Sequence, residues 1–231
     1  MKLTITLTAN AGVFLRFGEK GPKIGIDALH DTKTPEFSCL SPEQVGEIFA
    51  LLDGDAPDAL LVTHDHPDHY SAELSERVMQ RYKDCRVIKP WSAPEKEKRS
   101  YEVKGAEITA LPLPHRFAER FPGVENYAFL IEYAGKSVFV SGDAEPLSDE
   151  MLKLSETLRP DAVLLPFLWV TFSKHRRVLD AMAPKNTAFL HLPFPGQDDF
   201  GYNSAALKAS IRYYPEAAVL NTYLQRVCFE L

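Results

Sequence analysis

Thr63-His64-Asp65-His66-Pro67-Asp68-His69-Tyr70 decides the reading of this chain, because its His-x-His-x-Asp-His pattern packs four metal-ligand types into six residues. The apolar run before it, Ala59-Leu60-Leu61-Val62-Thr63, is predicted as a strand. Just past a strand, side chains two apart can point the same way, so His64 and His66 can converge on one ion. The tight turn that follows presents Asp68 and His69 toward a neighbouring position. Imidazole and carboxylate are borderline-to-hard donors, suited to Zn, Mn or Fe rather than to a thiolate site.

One loop does not complete a two-ion centre, and the rest of the chain offers more donors. His115 follows the predicted strand Glu107–Leu113, Asp143 follows Val138-Phe139-Val140-Ser141-Gly142, and His191 sits in the apolar run Ala188-Phe189-Leu190. Each falls at or near the carboxyl end of a predicted strand, and such ends share a rim where loops build sites on a rigid scaffold. Taken singly, His115 or His191 could be a hydrogen-bonded core histidine, and Asp143 could cap a turn. As a set with the motif they absorb five of the seven histidines.

Outward from the site, strands are predicted at Leu3–Leu7, Val13–Phe17, Lys23–Ala28, Arg86–Lys89, Ser100–Val103, Ala162–Pro166, Thr187–Leu192 and Val227–Leu231. A charged connector separates Lys89 from Ser100. Tyr127–Tyr133 and Lys136–Ser141 form a hairpin around Ala134-Gly135. Ser41-Pro42-Glu43-Gln44 opens a helix, with Ser41 as cap, Pro42 where a missing N–H costs nothing, and Gln44 closing a capping box. Further helices are predicted over 72–83, 150–158, 174–182 and 204–213. This order fits two packed sheets with helices outside, in a single domain spanning residues 1–231.

The chain has 231 residues, net charge −6 and three widely spaced cysteines. An acidic balance disfavours a nucleic-acid enzyme, whose affinity rests on basic surface. Cys39, Cys85 and Cys228 read as reduced thiols, no stretch is apolar enough to span a membrane, and the first residues read as a strand; cytoplasm is the expectation.

The set His64-x-His66-x-Asp68-His69, His115, Gly142-Asp143 and His191 resembles the metallo-β-lactamase fold superfamily in its dinuclear hydrolase form, over nearly the whole chain. That resemblance implies an α+β fold, a four-layer αββα sandwich. It also implies two divalent ions, zinc ahead of Mn2+ or Fe2+. One ion would be held by His64, His66 and His115, the other by Asp68, His69 and His191, with Asp143 bridging. Asp68 would also orient the attacking hydroxide. Within the superfamily, the small acidic chain is most similar to L-ascorbate-6-phosphate lactonase and related hydrolases. His66, where di-iron flavoproteins of this fold carry glutamate, disfavours a redox role.

The function expected is hydrolysis of a small ester, lactone or phosphorylated metabolite, with an anionic substrate and homo-oligomer formation both left open. A metal-binding sensor or partner module without turnover is a second reading, separated by activity on generic esters. A single-iron oxygen-using enzyme is a third, separated by metal count.

Around the motif, Arg116, Phe117 and Tyr70 are expected to line the pocket by adjacency, and His30 is a further pocket residue. Phe167-Leu168-Trp169 is assigned to the core first and to a pocket wall second. Phe194, Tyr202 and Gln197-Asp198-Asp199 are placed near the entrance. His175, between Lys174 and Arg176-Arg177, is expected on a solvated basic face.

Overall fold

The structure, a computed structural model, describes residues 1–93 and 96–231. The predicted charged connector includes residues 94 and 95, which lie outside the described residues. The chain runs β1 (Lys2–Leu7), β2 (Val13–Phe17), β3 (Lys23–Ile26), α1 (Pro42–Gly54), β4 (Ala59–Leu61), α2 (Ala72–Arg81), β5 (Arg86–Ile88), β6 (Arg99–Val103), β7 (Ala106–Pro114), β8 (Glu125–Tyr133) and β9 (Lys136–Val140). It continues with α3 (Asp149–Thr157), β10 (Ala162–Pro166), α4 (Leu168–Thr171), α5 (Ser173–Met182), β11 (Asn186–Leu190), α6 (Tyr202–Tyr213), β12 (Ala218–Val219) and β13 (Arg226–Glu230).

Two sheets form, in the orders β13-β1-β2-β3-β4-β5 and β12-β11-β10-β9-β8-β7-β6. The C-terminal strand β13 pairs antiparallel with β1, so the two ends of the chain close one edge region of the first sheet. Alternation does the sorting: in β1, Leu3, Ile5 and Leu7 are fully buried while Lys2 is exposed. One apolar cluster, including Leu3, Ile5, Leu15, Ile108, Phe129, Ile131 and Leu164, lies between the sheets. A second seats α1 and α2 on the first sheet through Ile48, Phe49, Leu52, Leu74 and Val78. A third seats α3 and α5 on the other sheet through Met151, Phe139, Phe189, Val178 and Met182. The result is an α+β sandwich of four layers, αββα.

Local signals act as their chemistry requires. Ser41 Oγ accepts from Gln44 N–H (3.2 Å) and Gln44 Oε1 accepts from Ser41 N–H (2.9 Å), closing the capping box at α1. The β8–β9 turn carries Ala134 and Gly135 at φ 51° and 72°, the double left-handed pair of a tight hairpin turn. Two small elements escaped the sequence: β12 is only two residues long, and α4 is a single turn inserted before α5. Neither is long enough to show a period.

Strand direction places the site. β7 and β9 both pair antiparallel with β8, and β9, β10 and β11 are mutually parallel. The carboxyl ends of β7, β9, β10 and β11 therefore meet at one edge of the second sheet. Beside them lies the loop after β4 of the first.

Candidate metal centre

All seven predicted donors meet at that rim. His64, His66, Asp68 and His69 come from the loop after β4. His115, Asp143 and His191 come from the segments after β7, β9 and β11. Three groups, His64/His66/His115, His64/His69/Asp143 and Asp68/His69/His191, each bring their donor atoms within 4.8 Å of one another. Asp143 faces two ways: Oδ1 lies 3.3 Å from His191 Nε2 and 3.6 Å from His69 Nε2, whereas Oδ2 lies 3.9 Å from His115 Nε2. Asp68 Oδ2 is 3.6 Å from His191 Nε2 and 3.8 Å from His69 Nε2.

Residues the sequence reading passed over set the histidine tautomers. Asp27, buried just after β3, accepts from Thr63 N–H on Oδ1 (2.8 Å) and from the Thr63 hydroxyl on Oδ2 (2.7 Å). Its Oδ2 also accepts from His69 Nδ1–H at 2.8 Å. Since the Thr63 hydrogen is committed to Asp27, Thr63 Oγ1 must accept from His64 Nδ1–H, 2.9 Å away. Nδ1 thus carries a proton in both rings, so the neutral form of each has its lone pair on Nε2, the atom turned to the centre. Outer carboxylates do this for metal-binding histidines generally. Asn10 donates to Asp68 Oδ2 (3.2 Å) and accepts from His191 N–H on its backbone oxygen (3.0 Å), tying two donors together.

A cation suits these atoms. His64 Nε2 lies 3.1 Å from His66 Nδ1, and His69 Nε2 lies 2.9 Å from His191 Nε2. Lone pairs that close repel unless a proton or a cation lies between them. Among the described residues, His115 Nε2 and Asp143 Oδ1 are buried without a hydrogen-bond partner, a cost that protein interiors accept for a reason. The titration behaviour agrees. Burial pulls His69 down, but Asp143, Asp68 and Asp27 outweigh it and push the ring up to about 10. Asp143 is raised by burial but carried down to about 2 by His191, His69, His115 and His66. Burial, reinforced by His69 and the other rings, holds His64 well below its ordinary value. The carboxylates thus stay charged, one imidazole takes a proton, and a divalent ion can take that proton's place.

Backbone strain concentrates here. His191, Asn10 and Asp27 adopt φ values of 63°, 51° and 47°, the left-handed region that non-glycine residues seldom enter. Gly142, at φ 53°, precedes Asp143. A Cβ there would lie 2.5 Å from Asn126 Oδ1 and 2.8 Å from Thr63 Cβ. The same Asn126 Oδ1 accepts from Asp143 N–H at 2.9 Å, so glycine permits the turn that aims the carboxylate.

The donors floor a cavity of about 570 Å3. Phe37 stands edge-on to His191 (4.2 Å between centroids), and Phe121 edge-on to His66 (4.7 Å). Arg116, Phe117, Trp169 and Tyr202 line it as expected, as do Phe167, Leu168, Phe172, Glu36 and Arg120. Trp169 is also a core residue, 1% exposed.

Several expectations fail. His175 is not solvated: it is 7% exposed, with Nδ1 2.9 Å from Leu168 O and its ring against Phe172. The extra turn α4 supplies the carbonyl that draws it inward, while Lys174 and Arg177 keep the exposed face. His30 does not line the cavity; it is fully buried behind it, Nε2 3.1 Å from Ala9 O. Tyr70 turns toward Lys89, whose Nζ donates to its hydroxyl (3.1 Å). Gln197 accepts from the Ser38 hydroxyl, and Asp198 accepts from Tyr202 and Asn203 N–H, so this loop braces α6. Phe194 packs on Tyr223 instead of the entrance.

A two-sheet sandwich with histidines and aspartates converging at the strand ends defines a class, and sequence comparison gives it a family. The chain belongs to the beta-lactamase superfamily, whose domain description matches residues 14–184. No curated protein sequence matches it significantly. Among solved structures it is similar to Igni18, a novel metallo hydrolase from Ignicoccus hospitalis (TM-score 0.67, 17% identity, 100% of both chains covered). It is also similar to an isothiocyanate hydrolase from Delia radicum gut bacteria (0.62, 14%, 99% of both). A third similarity is to CmlA, a diiron β-hydroxylase from Streptomyces venezuelae (0.59, 16%, 99% of this chain and 54% of that one). At these identities the likeness is one of metallo-β-lactamase fold.

Proposed function

We propose that the protein is a metal-dependent hydrolase that uses two divalent ions, zinc first, to cleave a small ester, lactone or phosphorylated metabolite. The observation that carries this is the placement of Asp143, whose two oxygens face different histidine groups across one cavity floor. His64, His66 and His115 would hold one ion, and Asp68, His69 and His191 the other, with Asp143 between. Such ions supply Lewis acidity toward a carbonyl or phosphoryl oxygen and lower the pKa of water held there to about 7.

The chain's own groups do the rest. Asp27 and Thr63 hold the Nδ1 protons of His69 and His64, so Nε2 is the atom each ring offers to an ion; on His69 the ion would displace the proton that Nε2 otherwise carries. Asp68 is the proposed catalytic residue. Burial raises its carboxyl, but His69 and His191 bring it below the ordinary range, so it is ionised at neutral pH and can accept a proton from attacking water. Asn10 holds that carboxylate in place. The aromatic walls exclude bulk water from the floor. The unit proposed to act is the single domain 1–231, and its three unpaired cysteines suit a reducing compartment, the cytoplasm.

The test is metal stoichiometry on freshly purified protein, followed by lactones, esters, thioesters and phosphodiesters offered with the native metal retained. Two ions per chain and turnover of one class is the expected result. A single iron with no hydrolysis overturns the proposal in favour of oxygen chemistry, and two ions with no turnover favours a metal-binding module.

A further inference from the structure

Arg116 directly follows His115 and lines the cavity, yet among the described residues its guanidinium makes no hydrogen bond and no ion pair within 4 Å. It is held all the same. Its carbon lies 4.6 Å from the Phe117 ring centroid and 5.6 Å from that of Phe172. Its backbone N–H donates to Asp143 O at 2.8 Å, which fixes the residue's position against the metal centre. The charges of Glu145 and Asp143 act on it without a hydrogen bond or a contact ion pair, and Glu145 Oε1 accepts from Leu147 N–H. A second cavity residue, Arg120, also lies over the Phe117 ring, 5.3 Å from its centroid, and among the described residues it makes no ion pair with an acid. Outside the metal donors, the cavity's charged lining is Arg116, Arg120 and Glu36, a positive surplus.

A partly buried guanidinium left unpaired wastes its five donors, and arginine's planar fork matches a two-oxygen anion. Two aromatic rings orient the fork in advance, which reduces the ordering cost when an anion arrives. The same cavity is lined by Phe37, Phe167, Leu168, Trp169 and Tyr202, apolar surface able to pack against a hydrocarbon body.

We infer that the cavity selects a small organic anion, with Arg116 gripping a carboxylate or phosphate-type group while an apolar or aromatic body lies on the Phe37–Trp169 wall and the scissile group reaches the histidine floor. This rests on the hydrolase reading for what happens at the floor but not for the binding itself. Arg116 is then a specificity residue, and neutral esters of the same shape are poor substrates.

The experiment measures equilibrium binding by titration calorimetry to zinc-loaded full-length protein. The probes are 3-phenylpropionate, phenylphosphonate and the neutral 3-phenylpropanol. Wild-type protein is expected to prefer the anions, and Arg116→Gln to weaken them about 10- to 100-fold, the effect of losing one charge-assisted pair, with the alcohol unchanged. Arg116→Lys keeps the charge but loses the fork, and an intermediate affinity is expected; this variant also covers a glutamine variant that fails to fold. A response confined to the phosphonate or to the carboxylate names the group. The inference is overturned if both anions bind Arg116→Gln as tightly as wild type, or if the alcohol binds wild type as well as they do. Arg116-dependent binding without any turnover supports it while removing the hydrolase reading, so the two stand or fall separately.

Discussion

Asp27→Asn changes one atom and should disturb both halves of the centre. Asp27 receives three donors on two oxygens: Thr63 N–H at 2.8 Å, the Thr63 hydroxyl at 2.7 Å and His69 Nδ1–H at 2.8 Å. An asparagine offers one acceptor oxygen and one NH2. If its NH2 faces His69 and the Thr63 hydroxyl, His69 must accept on Nδ1 and carry its proton on Nε2. Thr63 then turns its hydrogen to His64 Nδ1, which moves that ring's proton to Nε2 as well. Both metal-facing lone pairs are lost. If the amide sits the other way, the NH2 meets Thr63 N–H, and a buried donor goes unpaired at a cost of about 1–3 kcal/mol. The substitution therefore has two outlets, metal affinity or stability. Zinc affinity should fall about 10- to 100-fold, as it does when an outer carboxylate is removed, or the melting temperature of the zinc-loaded protein should fall about 2–12 °C. Competition against a chromophoric chelator reads the first and thermal unfolding reads the second. Wild-type values in both assays would refute the tautomer argument.

Four other outcomes are expected. Asp143→Ala should lower zinc content and abolish hydrolysis together, read by metal analysis and turnover on one preparation; full zinc content with full activity would dismiss the bridging role. Zinc binding to metal-depleted protein at pH 7 should release about one proton, read as a buffer-dependent binding enthalpy. His69, at about 10 in the metal-free protein, is protonated there, so affinity rises with pH and the released proton count falls toward zero above pH 10. For the metal-free protein the sign is the reverse: His69's raised value contributes stability that is full below about pH 6.5 and is lost as pH climbs through about 10. Gly142→Ala must fit a Cβ 2.5 Å from Asn126 Oδ1 at φ 53°. It should cost ~1–3 kcal/mol, read by denaturant unfolding, with reduced metal content as Asp143 is displaced.

What the sequence determined alone was the inventory and its order. His64, His66, Asp68 and His69 lie so close in the chain that a strand and a turn suffice to group them, and local geometry is what sequence periodicity reports. His115, Asp143 and His191 were legible because each ends an apolar run, and strand ends share a rim whatever the exact topology. The α1 capping box and the β8–β9 turn were legible for the same local reason.

Only the tertiary structure decided who supports whom. Asp27 follows an ordinary strand 42 residues before His69, and nothing in its neighbourhood marks it as a ring-orienting acid. Asn10, 58 residues from Asp68, is equally silent. His175 looked solvated because its sequence neighbours are cations, but helix side chains three residues apart face together, and the buried face it shares with Val178 outvoted them. Tautomers, left-handed backbone and an unpaired guanidinium arise from contacts between segments far apart in the chain. A local pattern carries no record of them, since the energy that fixes each one resides in a partner the sequence does not place.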